Sequence, residues 1–270
     1  MDQKIKRDSQ IIQDKKVTID GLSFYYRLVG NYQKPPLVFL HGHPMPSRPA
    51  DSIDFTNVLL EFSKYFYVIA PEHIGTMRST PAPKSMTMND RARIVCQLLE
   101  RLGIQKTIMS GQSFGGLVAA SFAVAYPDKI KRLILIDSST TYQIKKYTWL
   151  LRLRYWIYKI MIALPLLIRL KRQLIYFSSY SKSLNLFEIR EYLTQIHPGV
   201  YDSSGLEYSD IKTPTLLIWG KSDRLTPLKY ALKLKKEIIN SKLVFVEGGH
   251  TILYQKPHDV INEIVRNLNN

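Results

Sequence analysis

Short apolar runs recur along the chain and alternate with longer stretches in which apolar residues repeat with helical spacing. The short runs have the length of buried strands and end at small or polar residues. They cover residues 37–40, 67–70, 107–109, 133–136, 216–220 and 243–246, after an opening pair of strands over 17–20 and 22–29. Helices are predicted over 87–102, 228–239 and 260–268, with a helix rich in small residues over 116–123. This alternation predicts an α/β fold with a mostly parallel central sheet covered by helices on both faces.

A long segment between the strand that ends at Asp137 and the strand that starts near Thr213 differs in composition. Residues 138–187 contain no Asp or Glu, nine Lys or Arg and many aromatic residues, so much of the net charge of +16 lies here. At 270 residues and 45% hydrophobic content, the chain is long enough for one large core with an insertion. We therefore predict a core formed by residues 1–137 and 213–270, and an insertion over 138–212.

The pentapeptide Gly111-Gln112-Ser113-Phe114-Gly115 lies between an apolar strand and the small-residue helix. Glycines two residues on either side of the serine let the chain turn sharply, so that the hydroxyl projects above the sheet. The N-terminus of the following helix then lies beside the oxyanion that forms when the serine attacks a carbonyl. Such a short motif also arises by chance, but its position between strand and helix makes Ser113 the candidate nucleophile.

A serine nucleophile needs a base that accepts its proton and an acid that orients the base. His250 follows a predicted strand and two glycines, which suits a base on a mobile loop. Asp223 follows another predicted strand and is the expected acid. Two alternatives remain open for the acid. Asp223 could instead cap the next helix, and Asp137, which follows a third strand, could take its place.

A tetrahedral intermediate also needs hydrogen-bond donors aimed at its oxygen, which backbone N–H groups in tight loops supply. The strand over 37–40 runs directly into His41-Gly42-His43-Pro44. We expect the backbone N–H groups of His43 and Phe114 to form this oxyanion hole. The side chain of His41 is expected to support the loop rather than to take part in the reaction.

Together these motifs resemble the α/β-hydrolase fold family, and in particular its cap-bearing subgroup. That subgroup includes epoxide hydrolases, haloalkane dehalogenases, carbon–carbon bond hydrolases and small-ester hydrolases. The resemblance extends over nearly the whole chain and includes the order Ser113, Asp223, His250 along the sequence. It implies that residues 138–212 form a helical cap. The loop after the strand at 67–70 departs from the family pattern, since Glu72 stands where an aspartate is usual.

The resemblance implies hydrolysis through an acyl-enzyme. The epoxide hydrolases and dehalogenases of this group attack with a carboxylate, so Ser113 argues against both reactions. A serine nucleophile fits carboxylic esters and lactones, and we expect a small-molecule or lipid-like ester as substrate. A carbon–carbon bond hydrolase with a similar triad is one alternative, and a ligand-sensing protein with a slow triad is another.

Other sequence features bear on cofactors and location. The chain has one cysteine, Cys96, and no His-Glu-x-x-His run, so neither a metal site nor a cofactor is predicted. A single cysteine is compatible with a reducing compartment. Residues 1–16 are polar and have no apolar stretch of signal-peptide length, which leads us to expect a cytoplasmic protein.

The basic, aromatic insertion has more than one interpretation. It could be a solvated lid over an apolar pocket, or it could contact an anionic membrane peripherally, at the inner membrane surface, and collect lipid-like substrates. Its uncharged run over 160–168 is too short to span a bilayer. Nucleic acid is not expected as a partner, because no recognised binding motif is present.

Overall fold

A computed structural model describes residues 12–42, 55–83, 85–142, 203 and 205–268. Most of the insertion predicted over 138–212 lies outside these residues, as does His43.

One mixed sheet runs through the described part of the chain. Its strands are β1 (Ile12–Ile19), β2 (Leu22–Val29), β3 (Pro36–Leu40), β4 (Tyr67–Pro71), β5 (Thr107–Gln112), β6 (Ile130–Ile136), β7 (Thr215–Gly220) and β8 (Ser241–Val246). They lie side by side in the order β1-β2-β4-β3-β5-β6-β7-β8. Strand β2 pairs antiparallel with β1 on one side and with β4 on the other, and every other pairing is parallel. The prediction of a mostly parallel sheet is confirmed.

Helices cover both faces of this sheet, as predicted. In the described residues they are α1 (Thr56–Ser63), α2 (Met88–Arg101), α3 (Phe114–Ala125), α4 (Leu228–Glu237), α5 (Ile252–Gln255) and α6 (Pro257–Leu268), with 3₁₀ turns at Pro127–Lys129 and Tyr208–Asp210. One apolar cluster packs α2, α3 and α4 on one face, and a second packs α1, α5 and α6 on the other.

The alternation of side chains along the central strands explains the two clusters. In β6, Leu133 and Leu135 belong to the first cluster, whereas Ile134 and Ile136 belong to the second. Successive side chains of a strand point to opposite faces, so a strand covered on both sides must be apolar throughout. This is why the central strands appear in the sequence as continuous apolar runs. Because these strands are parallel, their carboxyl ends lie together at one edge of the sheet.

The ends of the elements differ from the predicted bounds by a few residues. Helix α2 begins where Thr87 and Asp90 form a capping box, in which the Thr87 N–H donates to Asp90 Oδ2 and the Asp90 N–H donates to Thr87 Oγ1. Strand β1 starts at Ile12 and α6 at Pro257, both earlier than predicted. Helices α1 and α5 have eight and four residues. They were not identified from the sequence because so few turns show little helical repeat.

Candidate active site

Ser113 lies at the sharp turn between β5 and α3, in a backbone conformation that is unusual for a residue with a side chain. Its φ and ψ are 50° and −116°. The neighbouring glycines make this turn possible, since a Cβ on Gly111 would lie 2.3 Å from the Gly115 oxygen and a Cβ on Gly115 would lie 2.1 Å from the Leu40 oxygen. Neither position has room for a side chain. The turn therefore depends on both glycines, and the strain at Ser113 is of the kind found at functional sites.

Hydrogen bonds to the neighbouring strand hold this turn in place. The Ser113 N–H donates to the carbonyl of Ile136 at 3.0 Å, and the Ser139 N–H donates to the carbonyl of Ser113 at 2.9 Å. Both polar groups of the Ser113 backbone are thus bonded to the end of β6 and the residues after it. The hydroxyl is left to face the loops at the carboxyl edge of the sheet.

The structure brings together the side chains of Ser113, His250 and Asp223. His250 Nε2 lies 3.0 Å from Ser113 Oγ, and His250 Nδ1 lies 2.8 Å from Asp223 Oδ2. Both distances are within hydrogen-bonding range. The carboxylate of Asp223 is fully buried, whereas the imidazole keeps 16% of its surface exposed. A buried acid and a partly accessible imidazole suit the orientation of a base that must also meet substrate and water.

Asp223 accepts hydrogen bonds on both carboxylate oxygens. The N–H groups of Leu225 and Thr226 donate to Oδ1 at 2.7 and 2.8 Å, and the Thr226 hydroxyl donates to Oδ2 at 2.5 Å. Burial alone would raise the pKa of Asp223. The hydrogen bond and charge of His250, aided by Thr226, outweigh it and lower that pKa below its ordinary value. Asp223 is therefore an anion that can hold His250 in one orientation.

Neither alternative reading of the acid fits this geometry. The carboxylate of Asp223 does not cap α4, since the residue preceding that helix is Pro227 and makes no side-chain cap. Asp137 is fully buried at the end of β6, where its Oδ1 accepts the N–H of Gly220 at 2.7 Å. Asp137 thus braces the start of the loop that carries Asp223, while His250 faces Asp223.

The oxyanion hole predicted at His43 and Phe114 can be located only in part. His43 lies outside the described residues, and Gly42 just before it lies in the loop that follows β3. Phe114 is the first residue of α3, so its N–H belongs to the helix N-terminus that follows the turn. Its buried ring packs edge-on against His73 with ring centroids 5.0 Å apart. The position of Phe114 agrees with a donor next to the nucleophile.

Two buried histidines join the loops that follow β3 and β4. The His73 N–H donates to His41 Nε2 at 3.3 Å, and His73 Nε2 lies 2.9 Å from the carbonyl of His41. Because His41 Nε2 accepts a bond, its proton resides on Nδ1, which donates to the carbonyl of Gly42 at 2.6 Å. His41 supports the loop before His43, as the sequence led us to expect. His73 is part of the same support and was not identified from the sequence.

Gln112 and Tyr254 connect three parts of the site and were not identified from the sequence. The Tyr254 hydroxyl donates to Gln112 Oε1 at 3.0 Å, and Gln112 Nε2 donates to the carbonyl of His250 at 3.0 Å. The N–H of Gly42 points to the same hydroxyl over a longer distance of 3.5 Å. This bracket links the residue before Ser113, the loop of His250 and the end of β3. The one feature of the sequence that could have indicated this bracket is the position of Gln112 directly before Ser113.

The described residues contain neither a metal site nor a membrane-spanning helix. Among them, no group of His, Cys, Asp or Glu side chains is arranged to hold a metal ion. No helix in the same residues is long and apolar enough to cross a membrane.

Two family models match separate parts of this chain. A family model described as alpha/beta hydrolase fold matches residues 35–167, and one described as TAP-like protein matches residues 198–268.

Individual relatives of this chain are named as hydrolases. A 2-hydroxy-6-oxononadienedioate/2-hydroxy-6-oxononatrienedioate hydrolase of Paraburkholderia phymatum is 28% identical over 80% of this chain and 81% of its own. Epoxide hydrolase 4 of Homo sapiens is 22% identical over 93% of this chain and 76% of its own. The crystal structure of the enol-lactonase from Burkholderia xenovorans LB400 superposes with a TM-score of 0.69 at 17% identity, covering 95% of this chain and 100% of the other. That last likeness concerns the fold alone.

Proposed function

Because this chain belongs to the α/β-hydrolase fold family, we propose that it is a serine hydrolase that cleaves a carboxylic ester or lactone through an acyl-enzyme. One observation carries the proposal: Ser113 Oγ lies 3.0 Å from His250 Nε2, and His250 Nδ1 lies 2.8 Å from Asp223. A proton can pass directly between hydroxyl and imidazole over such a distance. The lowered pKa of Asp223 keeps its carboxylate charged opposite the imidazolium that forms.

In the acylation step, Ser113 Oγ attacks the carbonyl carbon of the ester while His250 Nε2 takes the hydroxyl proton. The carbonyl oxygen becomes an oxyanion, to which the N–H groups of Phe114 and His43 would donate. When the tetrahedral intermediate collapses, His250 gives its proton to the departing alkoxide. An alcohol leaves from an ordinary ester, whereas a lactone opens and keeps its alcohol attached.

In the deacylation step, water takes the place of the alcohol. His250 removes a proton from that water as its oxygen attacks the acyl carbon, and a second oxyanion forms in the same hole. His250 then returns the proton to Ser113 Oγ, which releases the carboxylic acid. Asp223 remains ionised throughout and stabilises the charged imidazole in each step.

A carbon–carbon bond hydrolase is the second candidate, supported by the 28% identity to the Paraburkholderia phymatum enzyme. The same three side chains could serve that reaction, with a carbon leaving group in place of an alkoxide. The similarity to Epoxide hydrolase 4 does not extend to epoxide opening, because that reaction needs a carboxylate where this chain has Ser113.

The proposal is tested by Ser113→Ala, with Ser110→Ala as a matched control. Ser110 is buried three residues earlier in β5, and its hydroxyl has no hydrogen-bond partner among the described residues. We expect Ser113→Ala to lower kcat/KM for p-nitrophenyl acetate by about 10⁴-fold or more, and to abolish labelling by a fluorophosphonate. Ser110→Ala should retain activity and labelling. Activity above a few per cent of wild type in Ser113→Ala would refute the proposed nucleophile.

A comparison of substrates distinguishes ester or lactone hydrolysis from carbon–carbon bond hydrolysis. The wild-type protein would be assayed with a series of short-chain esters and lactones and with 2-hydroxy-6-oxo-dienoic acids. Higher kcat/KM for an ester or lactone is the expected result. If the dienoic acids give the higher value, the carbon–carbon reaction is the correct assignment and the nucleophile stands.

A further inference from the structure

Exposed apolar side chains concentrate in one segment of the described residues. Among the described residues, five large apolar side chains are exposed, and only Tyr32 lies elsewhere. The other four fall between the end of β7 and the end of β8: Leu225, Leu232, Ile239 and Phe245. Leu232 is 57% exposed and Ile239 is 86% exposed. Single exposed apolar residues are ordinary, so the observation of interest is that four of them fall within one short segment of the chain.

Lysines surround the exposed leucine of α4. Lys229 precedes Leu232 by three residues and Lys236 follows it by four, so all three lie together on one side of the helix. The opposite side of α4 is buried in the core through Ala231 and Leu234. The outward face therefore carries an aliphatic side chain between two ammonium groups.

The charge of the whole segment is strongly basic. Between residues 221 and 247 there are seven Lys or Arg and three acidic residues. Each acidic side chain is engaged: Asp223 by His250, Glu237 by Lys233 at 3.8 Å and Glu247 by Lys221. The acidic groups are thus satisfied within the protein, and the excess positive charge faces outward.

This surface lies next to the candidate active site. Strand β8 forms the edge of the sheet, with α4 packed against it and β7. The N–H of Leu225 donates to Asp223 at 2.7 Å, which places Leu225 at the rim of the site. A flat partner bound along α4 would come close to the loop that holds the acid.

We propose that Leu225, Lys229, Leu232, Lys236 and Ile239, here called the α4 surface, bind the face of an anionic phospholipid bilayer. The aliphatic side chains enter the headgroup region while the lysines meet the lipid phosphates, as on helices that lie flat at a membrane interface. A polynucleotide would use the lysines but would leave the aliphatic side chains in water, so the combination favours lipid. This inference concerns binding and does not depend on the proposed function.

Sedimentation with vesicles tests the proposal. The full chain should sediment with vesicles of mixed phosphatidylcholine and phosphatidylglycerol at low salt, and not with phosphatidylcholine alone. The double variant Lys229→Gln/Lys236→Gln should bind about 25-fold more weakly, since each lysine near an anionic surface contributes about fivefold. Leu232→Ser, which changes no charge, should weaken binding by about tenfold.

Matched controls remove the same charge and apolar area elsewhere. Lys15→Gln/Lys106→Gln takes two exposed lysines from other parts of the surface, and Tyr32→Ser removes an exposed apolar side chain that lies outside the α4 surface. Both controls should bind within about threefold of wild type, because specific contact is confined to the α4 surface. Absence of wild-type binding to the anionic vesicles would overturn the proposal. The proposal would also be overturned if the α4 variants bound the vesicles as tightly as their controls. It would be overturned as well if DNA displaced the protein from the vesicles and Leu232→Ser left vesicle binding unchanged. Vesicle sedimentation does not measure ester hydrolysis. A protein that bound the vesicles but failed to hydrolyse a soluble ester would therefore contradict only the proposed function.

Discussion

Replacing Asp137 by asparagine is expected to stabilise the protein at neutral pH and to change little at acid pH. The Asp137 side chain is fully buried, and its Oδ2 has no hydrogen-bond partner among the described residues. Burial, with a smaller contribution from the nearby charge of Asp223, raises the pKa of Asp137 to about 8 against the hydrogen bond from Gly220. Asparagine keeps an oxygen that can accept the Gly220 N–H and has no proton to lose.

The magnitude follows from the difference between the two pKa values. In the unfolded chain the carboxyl ionises near its ordinary pKa of 3.8, whereas in the folded protein it stays protonated up to about pH 8. The unfolded state alone gives up its proton in this range. The free energy of unfolding therefore falls by about 1.4 kcal/mol for each pH unit between the two values. From about pH 4.5 to about pH 7.5 the loss reaches about 4 kcal/mol, which is the most that asparagine could recover.

The assay is urea-induced unfolding, followed by circular dichroism across this pH range. The Asp137→Asn curve should coincide with wild type near pH 4 and lie at higher urea at neutral pH. Asp137→Ala serves as the comparison, because it also removes the charge but leaves the buried N–H of Gly220 without its acceptor, at a cost of about 1–3 kcal/mol. We expect Asp137→Ala to be less stable than Asp137→Asn at every pH.

Two results would refute this reasoning. If Asp137→Asn is no more stable than wild type near pH 7.5, the buried carboxyl imposes no cost at neutral pH. If Asp137→Asn gains the same free energy at every pH, the gain comes from packing or hydrogen bonding and not from ionisation.

Two predictions concern turnover. Asp223→Asn should lower kcat by about 10³-fold or more, because the neutral amide no longer stabilises the charged imidazole. Asp137→Asn should lower kcat by less than tenfold. Both effects are measured by steady-state ester hydrolysis, and a larger loss in Asp137→Asn would reverse the assignment of the acid. Tyr254→Phe removes the hydroxyl that donates to Gln112 and should lower kcat by about tenfold with little change in KM, since loosening the bracket misplaces reacting groups. Tyr65→Phe, which loses a hydroxyl that donates to Asn262 of α6, is the control. Equal losses in the two Tyr→Phe variants would show that the effect is not local.

The local features of the candidate site could be read from the sequence because they depend on short-range constraints. The turn at Ser113 requires glycine at positions 111 and 115, where the contacts leave no space for a Cβ. The continuous apolar runs of the central strands are equally local. The order Ser113, Asp223, His250 then pointed to one edge of the sheet, and the structure places these side chains in contact there.

The choice between two buried acids could not be read from the sequence. Asp137 and Asp223 each follow a strand, and β6 and β7 are neighbours in the sheet. The decision depends on the loop of Asp223, which folds so that Thr226 and two backbone N–H groups meet its carboxylate. No local pattern encodes the direction in which that loop carries its side chain.

The sequence by itself determined the class of fold, the position of the sharp turn at Ser113 and His250 as the candidate base, because each of these signals lies in residues that are neighbours along the chain. Only the tertiary structure decided which acid faces His250, how Gln112 meets Tyr254 and how His41 pairs with His73. Gln112 and Tyr254 are 142 residues apart, and β3 lies between β4 and β5, so these contacts exist only after distant strands have packed side by side. Contacts of this kind are fixed by the shape of the assembled core, to which every strand contributes and which no single segment specifies.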